Sequence, residues 1–244
     1  IGLVFSFIYG FVVTPPMVLM PSFLEHVRGY SVEDIGILQA PRGFGLLAAM
    51  IFGGKLLGRA DPRALIAFGL LCLGLSGLEM ASWNADVGAW PLLWTNFLQG
   101  IGGGIILVPI QAIAFPSLEP HRRTEGAAVF SLIRSIGSSI GVSGALAMHV
   151  RASTVTHARL TENIGPYNEA LRLQAADGWN MNSVESLARL QQEIDRQAAV
   201  IAYTGDFQML AYVAFAALVL LFFVGKQQKI GGPKERAESM VIAE

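Results

Sequence analysis

Residues 87–118 read V-G-A-W-P-L-L-W-T-N-F-L-Q-G-I-G-G-G-I-I-L-V-P-I-Q-A-I-A-F-P-S-L, 32 residues without a charge. The apolar centre, 92–115, exceeds the roughly 20 residues with which a helix crosses about 30 Å of hydrocarbon. Two more charge-free runs flank it. Residues 1–24 extend about 36 Å as a helix, and residues 207–225 are rich in Leu, Phe and Val. Less uniform segments lie between: 35–57 is interrupted by Arg42 and Lys55, 64–83 contains Glu79, and 126–150 contains Arg134 and His149. Long helices satisfy their own backbone in lipid, whereas a barrel needs segments of about ten residues in strict alternation, a pattern this sequence lacks. The expectation is an all-α membrane protein, a six-transmembrane-helix bundle with spans near 1–24, 35–57, 64–83, 92–115, 126–150 and 203–225.

Composition agrees. Of 244 residues, 53% are hydrophobic and 14% charged, too few charges to cover a water-facing surface, where about a quarter is usual. Seventeen Lys+Arg against eighteen Asp+Glu leave no basic field, which argues against nucleic acid as a partner. The lone Cys72 forms no intrachain disulfide, and with four scattered histidines it makes no metal cage, so no metal or organic cofactor is expected. The chain opens at Ile1 inside an apolar run, without a basic n-region or cleavage site, and so reads as a piece of a longer protein rather than a signal peptide.

Cationic residues set the orientation. One side carries Lys55, Arg59, Arg63, Arg122, Arg123, Lys226, Lys229, Lys234 and Arg236; the other carries Arg28. The positive-inside rule puts the first side in the cytoplasm, with the 226–244 tail. Residues 151–202, with five positive and six negative charges, then form an extracytoplasmic loop. Leu187, Leu190, Ile194, Ala198 and Ile201 make a helical stripe in it, and Asn182 with Glu185 has capping-pair spacing. The stripe suits either an amphipathic hairpin packed on the bundle or a docking surface.

Residues 54–63, G-K-L-L-G-R-A-D-P-R, resemble the loop signature G-x-L-x-D-R-x-x-x-R of the major facilitator superfamily. The Asp of that pattern is Gly58 here, with Asp61 three positions later. The resemblance implies a cytoplasmic gate built from Arg59, Asp61 and Arg63, with Gly54 letting helices approach closely. Residues 24–41, L-E-H-V-R-G-Y-S-V-E-D-I-G-I-L-Q-A-P, 99–109, Q-G-I-G-G-G-I-I-L-V-P, and 134–141, R-S-I-G-S-S-I-G, look like the C-terminal half of the EmrB/QacA family of fourteen-helix drug:proton antiporters. Residues 157–168, H-A-R-L-T-E-N-I-G-P-Y-N, are closest to its EmrB branch. The resemblance runs over nearly the whole chain.

It implies a proton-coupled exporter of amphipathic compounds in a bacterial cytoplasmic membrane, with the proton as coupling ion and a missing N-terminal half holding the main proton-carrying acids. In a Gram-negative source it further implies a periplasmic adaptor of the EmrA type and an outer-membrane channel. Helices one, two, four and five of such a half line the central cavity, which gives Asn96, Gln99, Arg134 and Arg42 as cavity residues. Asn96 and Gln99, three apart on one helix face, suit an interhelical clasp equally well, and Arg42 and Arg134 suit snorkelling to an interface. Glu79 reads as the only carboxylate well inside a span, near the interfacial Trp83.

Gly100 and Gly104, and Gly137 and Gly141 beside the serines at 131, 135, 139 and 143, are small-residue stripes expected to pack helix against helix. Pro15, Pro16 and Pro21 remove backbone donors from the first helix and should bend or loosen it. Residues 141–144, G-V-S-G, spell the nucleophile motif of rhomboid proteases, but 203–225 contain no histidine to serve as base and His149 lies about 240° around the helix from Ser143. No enzyme is expected. His149 and His157 lack carboxylate or thiol companions in the sequence around them and read as no metal pair. Porters of other small solutes, and non-transporting membrane scaffolds, share the six-helix pattern.

Overall fold

The computed structural model describes residues 2–57, 59–114, 123–162 and 184–223. The described residues form six helices: α1 Gly2–His26, α2 Val32–Leu57, α3 Pro62–Ala81, α4 Ala89–Ala114, α5 Arg123–Glu162 and α6 Val184–Phe223. Each is long and apolar enough to cross a membrane, and the described residues include no strand. Gly58, Arg122, Asn182 and the 226–244 tail lie outside the described residues.

Local chemistry sets the first turn-round. Gly29 takes φ 67°, a left-handed conformation that favours glycine. Its N–H reaches Glu25 O at 3.1 Å, the single bond of an αL helix stop, and Tyr30 N reaches back to Leu24 O at 3.1 Å. Ser31 then starts α2: its Oγ accepts from Asp34 N at 3.2 Å and donates to Asp34 Oδ2 at 2.7 Å. Asp61 stands in the N-cap position of α3 with Pro62 behind it, and Ser82 closes that helix on the carbonyls of Glu79 and Met80.

The helices form two rows. In the front row α2 packs on α4, α4 touches α1, and α1 packs on α5; behind, α3 bridges α4 and α6, and α6 reaches α5. Close approach in the front row depends on glycine. A Cβ on Gly141 would lie 2.7 Å from Phe11 O, and one on Gly137 would run into Phe7 O. Pro15 offers no N–H to Phe11 O, so this carbonyl is left to face Gly141. Gly100 faces Arg42 O, and a Cβ on Gly104 would be 2.7 Å from Leu46 O. On α2 the close contact to α4 falls at Gly45; a Cβ on Gly53 would meet Ile105 at an ordinary 3.6 Å, and Gly54 has nothing within 4 Å of its Cβ direction. The close approach expected of Gly54 is therefore not made there, because a one-residue step turns a helix by about 100° and leaves Gly54 pointing away from α4.

Two apolar layers hold the bundle. Near the His26 end, Phe23, Trp83, Tyr203 and Phe207 meet edge-on or tilted at centroid distances of 5.5 to 6.4 Å, joining α1, α3 and α6. Toward the other end, Ile66, Leu70, Ile106, Ile110 and Ala214 are buried together.

α5 and α6 depart from the sequence expectation. Residues 151–162 continue α5 and residues 184–202 belong to α6, so the described part of the expected loop consists of extensions of two spans. No proline occurs in either extension to stop the helix at the lipid boundary, and charged residues sustain helix in water.

Candidate functional site

The front row holds a polar cluster at mid-depth. Arg42 sits about 15 Å along α2 from Val32, and Arg134 about 16 Å along α5 from Arg123. The Arg134 carbonyl faces Gly10 of α1, next to Tyr9. The Tyr9 hydroxyl lies 3.8 Å from the place a Cβ on Gly103 would occupy, so α4 leaves room for the phenol there. Arg42 Nη2 donates to Val13 O at 3.1 Å, while its Nη1 is buried without a hydrogen-bond partner. Among the described residues neither arginine forms an ion pair. An uncompensated guanidinium in low dielectric calls for an anion or an acceptor. The site can therefore hold a carboxylate, another anionic group or a polar ligand atom against Tyr9.

Arg42 and Arg134 both lie against the Gly10–Val13 stretch of α1, whereas Asn96 and Gln99 are engaged with α2 and α3. Asn96 is 0% exposed; its Nδ2 donates to Leu92 O at 2.9 Å and to Leu38 O at 3.3 Å, joining α4 to α2. Gln99 Nε2 meets Met80 Sδ of α3 at 3.0 Å. Both amides are thus interhelical clasps within the bundle, and Asn96 Oδ1 and Gln99 Oε1 are buried without partners. Tyr9, which sequence reasoning passed over, is the lone polar aromatic in the first charge-free run.

At the opposite end from His26, Arg59 and Asp61 are exposed, and Arg63 Nη2 is buried without a partner. Among the described residues Arg59, Asp61 and Arg63 form no ion pair with one another. Asp61 makes no side-chain cap bond either.

A second constellation was missed altogether. Asp206, 3% exposed, lies on α6 and accepts a 2.8 Å hydrogen bond from His149 Nδ1 of α5. Glu79 is therefore not the only carboxylate inside a helix: because α6 begins at Val184, Asp206 stands in its middle. His157 also has a carboxylate partner, Asp195 Oδ1 at 3.1 Å. Both partners come from a helix distant in sequence, so spacing around the histidines could not reveal them. Among the described residues no group of three or more His, Cys, Asp or Glu is placed to hold a metal ion.

Comparison with known proteins matches residues 2–156 to the Major Facilitator Superfamily. The chain is 26% identical to the Multidrug export protein EmrB of Escherichia coli (strain K12), over 88% of this chain and 43% of that protein. It is 24% identical to the Probable multidrug resistance protein EmrY of the same strain, over 86% and 41%. To the Fatty acid resistance protein FarB of Neisseria gonorrhoeae it is 21% identical, over 86% and 42%. The chain thus spans less than half the length of these relatives.

Proposed function

This chain belongs to the major facilitator superfamily, and from that premise we propose that it is the C-terminal half of a proton-coupled exporter of amphipathic compounds. The two halves rock about a midplane cavity in a bacterial cytoplasmic membrane. The Lys- and Arg-rich connections face the cytoplasm, and the extensions of α5 and α6 face outward. The observation that carries this reading is the placement of Arg42 and Arg134 against the Gly10–Val13 stretch of α1, at mid-depth and without a carboxylate partner among the described residues. A bundle that served only as a scaffold has no use for two such guanidinium groups at mid-depth. In the assembled transporter they meet an acid of the other half in one state and the polar group of a bound compound in another.

Similarity to EmrB, EmrY and FarB along most of the chain supports the export role. The same similarity supports a periplasmic adaptor and an outer-membrane channel as partners in a Gram-negative source. Arg59, Asp61 and Arg63 serve as gate elements whose partners come from the other half.

The test is Arg134→Gln in the full-length transporter. A charge-assisted hydrogen bond contributes roughly 1.5–3 kcal/mol, so dye efflux should fall about 10- to 100-fold with membrane insertion unchanged. Wild-type efflux from the variant would remove Arg134 from the cavity. Reconstituted alone, the 244-residue chain should show no proton-driven efflux; observing it would refute the two-half mechanism. Labelling of a cysteine at position 122 only from outside intact cells would overturn the orientation.

A further inference from the structure

α5 and α6 run side by side past the length any bilayer requires: at 40 residues each they extend about 60 Å. Two His–Asp pairs lie along their shared seam. The outer pair, His157 with Asp195, is partly open to solvent, and Gln191 Nε2 stands 3.0 Å from the same imidazole nitrogen. The inner pair, His149 with Asp206, is closed in: the carboxylate is 4% exposed and the imidazole 17%. The His149 ring lies on Tyr203 at 4.1 Å between centroids. The Tyr203 hydroxyl is 2.7 Å from Ser22 Oγ, which in turn is 3.4 Å from His26 Nδ1 at the end of α1.

The remaining charged groups around the pair leave it largely to itself. Arg196 of α6 donates to Val27 O and Ala85 O, and Arg28 donates to Ala85 O and Asp86. From α1, Glu25 and His26 lie at the helix end, with Glu25 acting electrostatically on Tyr203. On α3, Glu79 is half-buried in the last turn, while Met80 and, just past the helix end, Trp83 join the apolar layer that holds Tyr203 and Phe207. Arg151 follows His149 on α5 and is exposed. No Lys or Arg among the described residues forms an ion pair with Asp206, so its partner is an imidazole, a group able to gain and lose a proton near neutral pH.

We propose that His149 and Asp206 form a proton-binding site within the α5–α6 seam, loaded from the extracytoplasmic side. The ionised carboxylate only accepts hydrogen bonds, so His149 Nδ1 carries the N–H and Nε2 is the nitrogen that takes a proton from hydronium, releasing water. Uptake converts a buried pair with one net negative charge into a neutral ion pair, the state that low dielectric favours, and draws the two helices together. Release returns the proton from Nε2 to water and loosens the seam. The half-open His157–Asp195 pair, about 12 Å further out along α5, leads protons from the surface toward it. The loading side rests on the proposed orientation; proton binding itself does not.

Two measurements on the full-length protein in lipid nanodiscs separate these. By nitrogen NMR of labelled histidine, the His149 imidazole should gain a proton on acidification, and Asp206→Asn, which keeps size and hydrogen-bonding capacity, should move that midpoint by at least one pH unit. A His149 that holds one protonation state throughout, or a midpoint that Asp206→Asn leaves in place, overturns the proposal whether or not the protein exports anything. In proteoliposomes, His149→Gln should flatten the dependence of efflux on outside pH at least tenfold while dye binding stays within twofold. Unaltered pH dependence overturns the coupling. Absence of any proton-driven efflux in wild-type protein would count against the transport reading alone. His149→Asn supplies a smaller neutral variant should the Gln form misfold.

Discussion

Substituting Gly141 by Ala should destabilise the α1–α5 seam, and the structure supplies both the magnitude and the control. The new methyl would lie 2.7 Å from Phe11 O, 3.0 Å from its Cα and 3.2 Å from its carbonyl carbon. These are backbone atoms of α1, so no side chain can swing aside, and the helices must separate by about half an ångström to restore ordinary contact. Overpacking of this kind costs about 1–3 kcal/mol. In a chain of this size that corresponds to a fall in melting temperature of roughly 2–12 °C, at about 2–4 °C per kcal/mol. Gly144, three residues on in the same helix, has nothing within 4 Å of its Cβ direction. There Gly→Ala meets no neighbour and gains up to about 1 kcal/mol of helix propensity. Thermal unfolding of both variants in the same detergent measures the difference. Equal melting temperatures, or a more stable Gly141→Ala, would refute the argument that glycine sets the spacing of α1 and α5.

Gly29→Ala tests a different use of glycine: nothing crowds the site, so the cost of about 1 kcal/mol comes from the left-handed backbone alone, read as lower thermal stability without loss of helix by circular dichroism. Asn96→Leu should change stability by less than about 1.5 kcal/mol, since interhelical hydrogen bonds in membranes average about 0.6 kcal/mol and the substitution also removes a buried acceptor without a partner. Asn96→Asp places a charge in the same 0%-exposed position and should sharply reduce folded protein in the membrane, measured by fluorescence-detected size exclusion.

The spans were legible because lipid tolerates few charges, and that signal is local: the run at 87–118 needs no partner to be recognised. Helix ends were less legible. A lipid boundary changes composition but does not break a helix, so α5 and α6 continue where charge density rises. Burial was least legible within the spans themselves. Both the lipid-facing and the core-facing sides of α4 are apolar, and the sequence around Asn96 and Gln99 does not distinguish a cavity from a neighbouring helix. Asp206 shows the same limit: it heads a charge-free run, and only the register of α6 against α5, set by the chain's three-dimensional course, places it beside His149, 57 positions away in sequence.

Because α5 passes from its lipid-length portion into its polar extension without interruption, it behaves mechanically as a lever. Its last residues stand about 18 Å beyond position 150, so a tilt of only ten degrees about that level sweeps the tip sideways by about 3 Å. The α6 extension, tied to it through Asp195 and His157, moves along. Small angular adjustments deep in the bundle are thereby magnified at the far tip, where an antibody fragment or a cross-link that immobilises the two extensions would clamp the whole half.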